Sequence, residues 1–362
     1  MPNTLKGEID MKKVISIALV VMLAISVIAM VGCGNKPETN TGDDVPAATL
    51  KFGMGVVANL GEAKNADGDT NGSGGFTATA VAVLLDADNK IVAIDLDSAD
   101  IKAAWTSEGK VVATEDFATK YEKGADYGMA AYGKKHDGSD GAVKEWFEQV
   151  DAFIATATGK TLDEVKAMMG EDTYATGDLA TAGCTISVAG FVGALEKAVA
   201  NAVESNATAE NKLNIAMVSS AANKDAAEDA EGSVDVTTTI VAAVVDAEGK
   251  VVVSKTDSVQ GKNTFDAKGV ANVDTKAEIK TKGEIGADYG MAAYGKKHDG
   301  SDGAVKEWFE QAAAFDATLV GKTAADFAAL AGEDTYAIGD LATAGCTISV
   351  GDMIAAAEKA AK

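Results

Sequence analysis

GADYGMAAYGKKHDGSDGAVKEWFEQ stands at residues 124–149 and again at 286–311, identical at all 26 positions. The offset of 162 runs without a gap into EDTYATGDLATAGCTISV at 171–188, which recurs at 333–350 with one change, Thr176 to Ile338. The chain is therefore one unit written twice. The repeats are set at 49–205 and 206–362 and meet near ANAVESNATAEN, with each about 155 residues and long enough for its own core. Repeats with separate cores and a polar joint are expected to fold separately.

Working outward from the blocks, residues 141–158 read as an amphipathic helix. Val143, Trp146, Phe147, Val150, Phe153, Ile154 and Ala157 fall at i, i+3, i+4, i+7 spacing. Its second half has drifted: 150–170 and 312–332 agree at only 9 of 21 positions, as core packing permits when volume is kept. The Gly-rich polar stretches on either side have not drifted, and packing alone gives no reason for that. A recent duplication would have preserved the helix as well. The pattern points to a site built from the two blocks.

Upstream, TATAVAVLLDADNKIVAIDLD and VTTTIVAAVVDAEGKVVVSKT are β-rich runs, broken by Asp-Asn and Glu-Gly pairs suited to a tight hairpin turn. Downstream, Thr161 with Glu164 and Thr323 with Asp326 have capping-box spacing, and Gly170 and Gly332 read as the stops of those helices. GFVGALEKAVANAV and DMIAAAEKAAK read as terminal helices. Strands followed by helices predict an α+β fold: two tandem homologous domains, each a hairpin-rich sheet packed with helices.

The 362 residues are 47% hydrophobic and carry 32 Lys and Arg against 55 Asp and Glu, a net charge of −23, with no Arg at all. So acidic a chain repels a phosphate backbone, which argues against nucleic acid as a partner. Residues 11–32, MKKVISIALVVMLAISVIAMVG, have a basic start and an uncharged apolar run, the form of a secretory signal. Cys33 follows Gly32 as in bacterial lipoproteins, where that Cys is lipidated and becomes the new N-terminus. This predicts a signal peptide at 1–32, then the lipidated Cys33 and a polar, Pro-containing tether to residue 48. The localisation that follows is the extracytoplasmic face of the cell membrane, held there by a lipid anchor.

Three Cys and two His give little support to a catalytic or metal centre. CxxC is missing, so Cys184 and Cys346 read as buried free thiols rather than a redox pair. Asp137, Ser139 and Asp140 of HDGSDG offer oxygen atoms but lack the acidic twelfth position of a calcium loop. His136 and His298 lie in Lys-rich loops and read as turn residues. No metal and no catalytic residue is expected.

The second block carries the sharper signal. Asp178-Leu-Ala-Thr-Ala-Gly183-Cys184-Thr185-Ile-Ser187 resembles the flavinylation motif of the FMN-binding domain family, with Cys where the family has Ala in Gly-Ala-Thr. The second repeat matches at Asp340, Gly345, Cys346 and Thr347. In that family an extracytoplasmic flavin transferase joins FMN to the Thr hydroxyl through a phosphoester. The Asp here stands seven residues before the Thr rather than six, which leaves Thr181 and Thr343 as alternative acceptors. The resemblance extends to the two-domain flavinylated surface lipoproteins of extracellular electron transfer: lipid anchor, tether, then two copies of hairpin and blocks.

The resemblance implies two covalent FMN groups, at Thr185 and Thr347. Tyr127 and Met129, with Tyr289 and Met291, are candidates to wall the isoalloxazine, which needs flat apolar contact. Tyr132 and Tyr294 are further candidates, as are Trp146 and Trp308, although at helical spacing a Trp is more often core. Lys134 and Lys135 are candidates to balance phosphate charge. The implied function is an electron carrier rather than an enzyme with its own substrate pocket. It would take electrons from a membrane quinol-linked donor and pass them to extracellular acceptors such as iron, a quinone or another protein. The alternative is a cofactor-free binding or surface-interaction lipoprotein, such as a solute-binding component or an immunogen.

Overall fold

The computed structural model describes residues 48–136, 144–298 and 306–362. The expected signal segment, Cys33 and the expected tether to residue 47 lie outside the described residues, as do the HDGSDG acidic positions and the side chains of Lys134, Lys135, His136 and His298.

The fold is α+β. In the first half, β1 (Lys51–Leu60), β2 (Gly72–Leu85), β3 (Ile91–Trp105), β4 (Val111–Val112) and β5 (Val203–Glu204) form an antiparallel sheet of order β4-β3-β2-β1-β5. In the second half, β6 (Lys212–Lys224), β7 (Gly232–Val245) and β8 (Val251–Phe265) form a second antiparallel sheet of order β6-β7-β8. The hairpins turn where the Asp-Asn and Glu-Gly pairs predict. Asn89 and Gly249 take the left-handed conformation at φ 58° and 75°, and the Asp86 and Asp246 carboxylates accept the turn N–H groups.

Alternation along β2 divides its side chains between two cores. Val81, Val83 and Leu85 pack under the helices Trp146–Ala157 and Ala189–Ala200. Phe76, Ala78, Ala80, Ala82 and Leu84 point the other way, into a core shared with Met217, Val236, Ile240, Val244, Val259 and Phe265 of the second sheet. The second sheet's other face packs under the helices Trp308–Leu319 and Gly351–Ala360. The result is four layers, helices–sheet–sheet–helices, in a single compact unit over 47–362.

This corrects the expectation of two self-contained cores. The inter-sheet contact is reciprocal: Ala66 N donates to Gly269 O and Ala226 N to Gly109 O, at 2.9 and 2.8 Å, Ala66 being the counterpart of Ala226 and Gly109 of Gly269. Trp105 and Phe265, also equivalent, stack at 4.7 Å. Lys197 pairs with Glu284, and its counterpart Lys359 with Glu122, both at 2.6 Å. Such self-complementary exchange is the signature of an approximate two-fold interface. The joint is not a loose linker either. Val203 pairs with Phe52, and the fully buried Ala207 accepts from Leu50 N at 2.8 Å.

One smaller expectation also changes. The capping boxes form at Thr161–Glu164 and Thr323–Asp326, but the first helix is Leu162–Lys166 and ends before Gly170. Gly170 instead closes a tight turn, its N–H donating to Tyr174 O while its carbonyl accepts from Thr173 N. Among the described residues, no helix is long and apolar enough to cross a membrane.

Four partly or fully buried carboxylates carry a pH signature. Burial raises Asp95, Asp97, Asp257 and Asp316 above the ordinary aspartate value, Asp97 to about 6. Where the folded state holds a proton more tightly than the unfolded chain, stability falls as pH rises through that window and is level above it. For Asp97 the penalty at neutral pH is on the order of 3 kcal/mol. Carboxylates whose values are lowered, such as Asp116 and Glu122, oppose this below about pH 4 but are more exposed. The melting temperature is therefore expected to rise from pH 7.5 to pH 5. A melting curve series showing a fall over that interval would contradict this.

Candidate functional site

Each first block hangs from the sheet by a buried aspartate. Thr119 caps the short helix Lys120–Lys123 in a capping box with Glu122, and the Asp97 carboxylate of β3 accepts from Tyr121 N at 3.3 Å. The chain then makes a 3-10 turn, Gly124–Tyr127, and leaves through Gly128 at φ 77° into the helix Met129–His136. A left-handed residue is needed at that exit, and glycine adopts it without steric cost. In the second repeat Asp257 accepts from Gly283 N at 3.0 Å and Thr281 caps with Glu284.

The turn brings Tyr127 and Met129 to the wall of an open cavity of about 720 Å³, lined on its other sides by Asp100 and Lys102 of β3 and the segment 113–116. Tyr132 also lines it. The Tyr127 hydroxyl donates to Asp100 at 3.0 Å, and the Lys120 ammonium lies over the Tyr127 and Trp146 rings at 5.3 and 5.7 Å. In the second repeat Lys282 sits likewise over Tyr289 and Trp308, but the Tyr289 hydroxyl meets the neutral Gln260 at 3.4 Å. Trp146 and Trp308 are 2% and 3% exposed. They are core, as their helical spacing suggests, and do not wall the cavity.

The second block is a short helix and a turn. Helix Gly177–Ala182 ends at Gly183, φ 99°, and Cys184 N closes the turn onto Leu179 O at 3.0 Å. Lys144 Nζ crosses this turn and donates to Ala182 O at 3.1 Å, so a Cβ on Gly183 would collide with it. Lys306 repeats the arrangement over Gly345. Cys184 and Cys346 are fully buried free thiols pushed up by burial to about 11, so both are neutral and unreactive at pH 7.

The two acceptor candidates differ in setting. The Thr181 hydroxyl is turned back onto its own helix, donating to Gly177 O at 3.0 Å, and Thr343 does the same to Gly339 O. Thr185 follows the glycine turn and is exposed, and its hydroxyl faces the side-chain oxygen of Gln149 at 3.3 Å. Asp178 is exposed on the first turn of the short helix and pairs with Lys160 at 3.5 Å, outside both blocks; Asp340 is exposed as well.

Gln149 joins the two blocks. It is fully buried on helix Trp146–Ala157. Its Oε1 accepts from Thr185 N at 2.8 Å, and its Nε2 donates to Met129 Sδ at 3.4 Å and to Lys144 O at 3.1 Å. Gln311 makes the same contacts with Thr347 N, Met291 and Lys306 O at 2.8, 3.4 and 2.9 Å. Thr185 and Met129 are thus one side-chain amide apart. The sequence reading passed over this residue. Its signal was a polar residue on the buried stripe, inside the block that does not drift.

Searches against protein-family models, curated proteins and solved structures found no match to this chain.

Proposed function

We propose that the protein is a lipid-anchored extracytoplasmic electron carrier with one FMN per repeat, esterified to Thr185 and Thr347. The observation that carries this reading is the Gln149 amide, which holds the hydroxyl-bearing turn beside the Tyr127–Met129 wall. The residues fit the group. The cavity has room for a tricyclic ring, the half-buried Tyr127 and Met129 supply aromatic and thioether contact, and Thr185 is open to a transferase. Lys144, lying over Gly183, is the cation that would face the phosphate. FMN bound there would supply reversible uptake and release of electrons; the chain's part is to hold it, set its exposure and tune its potential. Covalent attachment suits a location where a dissociable cofactor is lost. A membrane quinol-linked donor and extracellular acceptors remain the partners this reading implies.

Protein co-expressed with a flavin transferase is expected to be yellow, and to keep its colour after acid denaturation. A colourless protein of unmodified mass would overturn the proposal in favour of a cofactor-free binding lipoprotein.

The near-identity of the blocks leads to two potentials close together, and the Asp100–Gln260 difference sets their order. A partly buried carboxylate against the Tyr127 wall opposes added negative charge, whereas Gln260 is neutral; Lys120, 4.0 Å from Asp100, is matched by Lys282 in the second repeat, Lys123 is paired with Asp116, and Lys102 is exposed and screened by water. The first site is expected to be about tenfold harder to reduce, ~30 mV for a two-electron couple. Redox titration of the two single Thr→Val variants measures each site alone. A gap of the opposite sign, or one unmoved by Asp100→Asn, would contradict this.

A further inference from the structure

We infer that Gln149 and Gln311 are the positioning residues for modification: each aims the acceptor hydroxyl of its repeat outward at the flavin donor. The inference rests on the flavin reading above and adds the residue that makes Thr185 and Thr347 competent.

The geometry is specific. Gln149 has no exposed surface, and a buried amide must satisfy both its ends. Its N–H side is spent on Lys144 O and Met129 Sδ, which fixes which way the amide faces. The oxygen end is then committed to Thr185, accepting from both its N–H and its hydroxyl. A hydroxyl that donates inward presents its lone pairs outward. Phosphoester formation needs those lone pairs: the Thr185 Oγ1–P bond forms, the pyrophosphate bond of a flavin nucleotide activated as a dinucleotide breaks, and the nucleoside monophosphate leaves. The hydroxyl proton passes to a base of the transferase or to water, since an amide oxygen is too weak a base to keep it. No electrons change hands. Thr181 donates as well, to Gly177 O of its own helix, so what sets Thr185 apart is the side-chain amide that ties it to Met129.

The two repeats make each molecule its own control. Full-length Gln149→Leu, treated with transferase and flavin dinucleotide, is expected to load Thr185 at least tenfold more slowly than Thr347, read as the ratio of modified peptides. Gln311→Leu reverses the ratio. Gln149→Glu separates positioning from packing. Burial raises a glutamate's pKa, and its neutral form has the shape of the amide and keeps an accepting oxygen and one donor, whereas the ionised form has no donor for Lys144 O, so the Thr185:Thr347 ratio is expected to climb as pH falls. A Gln149→Glu ratio at the wild-type level at every pH also supports the inference, since it would show that the accepting oxygen suffices without the donor end.

A Gln149→Leu ratio within twofold of wild type would overturn it, as would a Gln149→Glu ratio flat at the leucine level. Wild-type protein unmodified at both threonines would overturn the flavin reading instead. The contact is read without flavin as well: amide exchange in Gln149→Leu should speed up at Thr185 and not at Thr347, and equal protection at both would show that the glutamine does not hold the turn.

Discussion

A Thr185→Val/Thr347→Val protein should emerge colourless from cells in which the wild type is yellow. Valine keeps the branched shape and removes only the hydroxyl, and both positions are exposed, so the fold should be unaffected. Each single variant should carry one flavin, so the stoichiometry steps from two to one to none. Thr181→Val and Thr343→Val should leave it at two, because it is Thr185 and Thr347 that Gln149 and Gln311 tie to Met129 and Met291. Flavin that survives denaturation of the double variant would rule out the assignment. Flavin lost only with Thr181 and Thr343 would move the attachment point four residues back.

The second large effect concerns the halves. A fragment of 206–362 should not persist as a folded monomer. Removing the first repeat uncovers Met217, Val236, Ile240, Val244, Val259 and Phe265 on the inner face of β6–β8. Each such side chain is worth roughly 1.5–3 kcal/mol of burial, so the loss is on the order of 10 kcal/mol, the whole stability of a typical domain. The fragment also loses the backbone bonds across Gly109 and Gly269 and the Asp95 carboxylate that accepts from Ile215 N at 2.8 Å. Because the interface is self-complementary, the expected species are aggregates or a pair of fragments joined through this face. Sedimentation measures this directly. A monomer with a cooperative melting transition would show that the helix-side core suffices.

Local structure was legible in the sequence where one residue decides a backbone angle or one period decides a face. Asn89 and Gly249 could be read as hairpin turns because positive φ selects them. Trp146, Val150, Phe153 and Ala157 could be read as one helical stripe because they share a 3.6-residue period. The sheet-on-sheet layer was not read, although the run Ala80–Leu85 is apolar on both faces, which is how a strand covered on both sides is written. The joint was misread because Ala207 is an unremarkable residue in a polar stretch, and nothing local says that it is buried. Gln149 escaped for a related reason: its partners lie 20 and 36 residues away, and only the fold brings Met129 and Thr185 to one amide. The blocks themselves were legible as a joint site because two separated segments stayed fixed while the helix between them drifted.

The most direct measurement is peptide mapping of transferase-treated wild-type protein. Cleavage at lysine yields residues 167–197, which contain both Thr181 and Thr185, and 323–359, which contain both Thr343 and Thr347. Fragment-ion spectra distinguish the two positions in each. One FMN phosphoester on each peptide, at Thr185 and Thr347, is the predicted result. Unmodified peptides, or a modification carried by any other residue, would contradict the account.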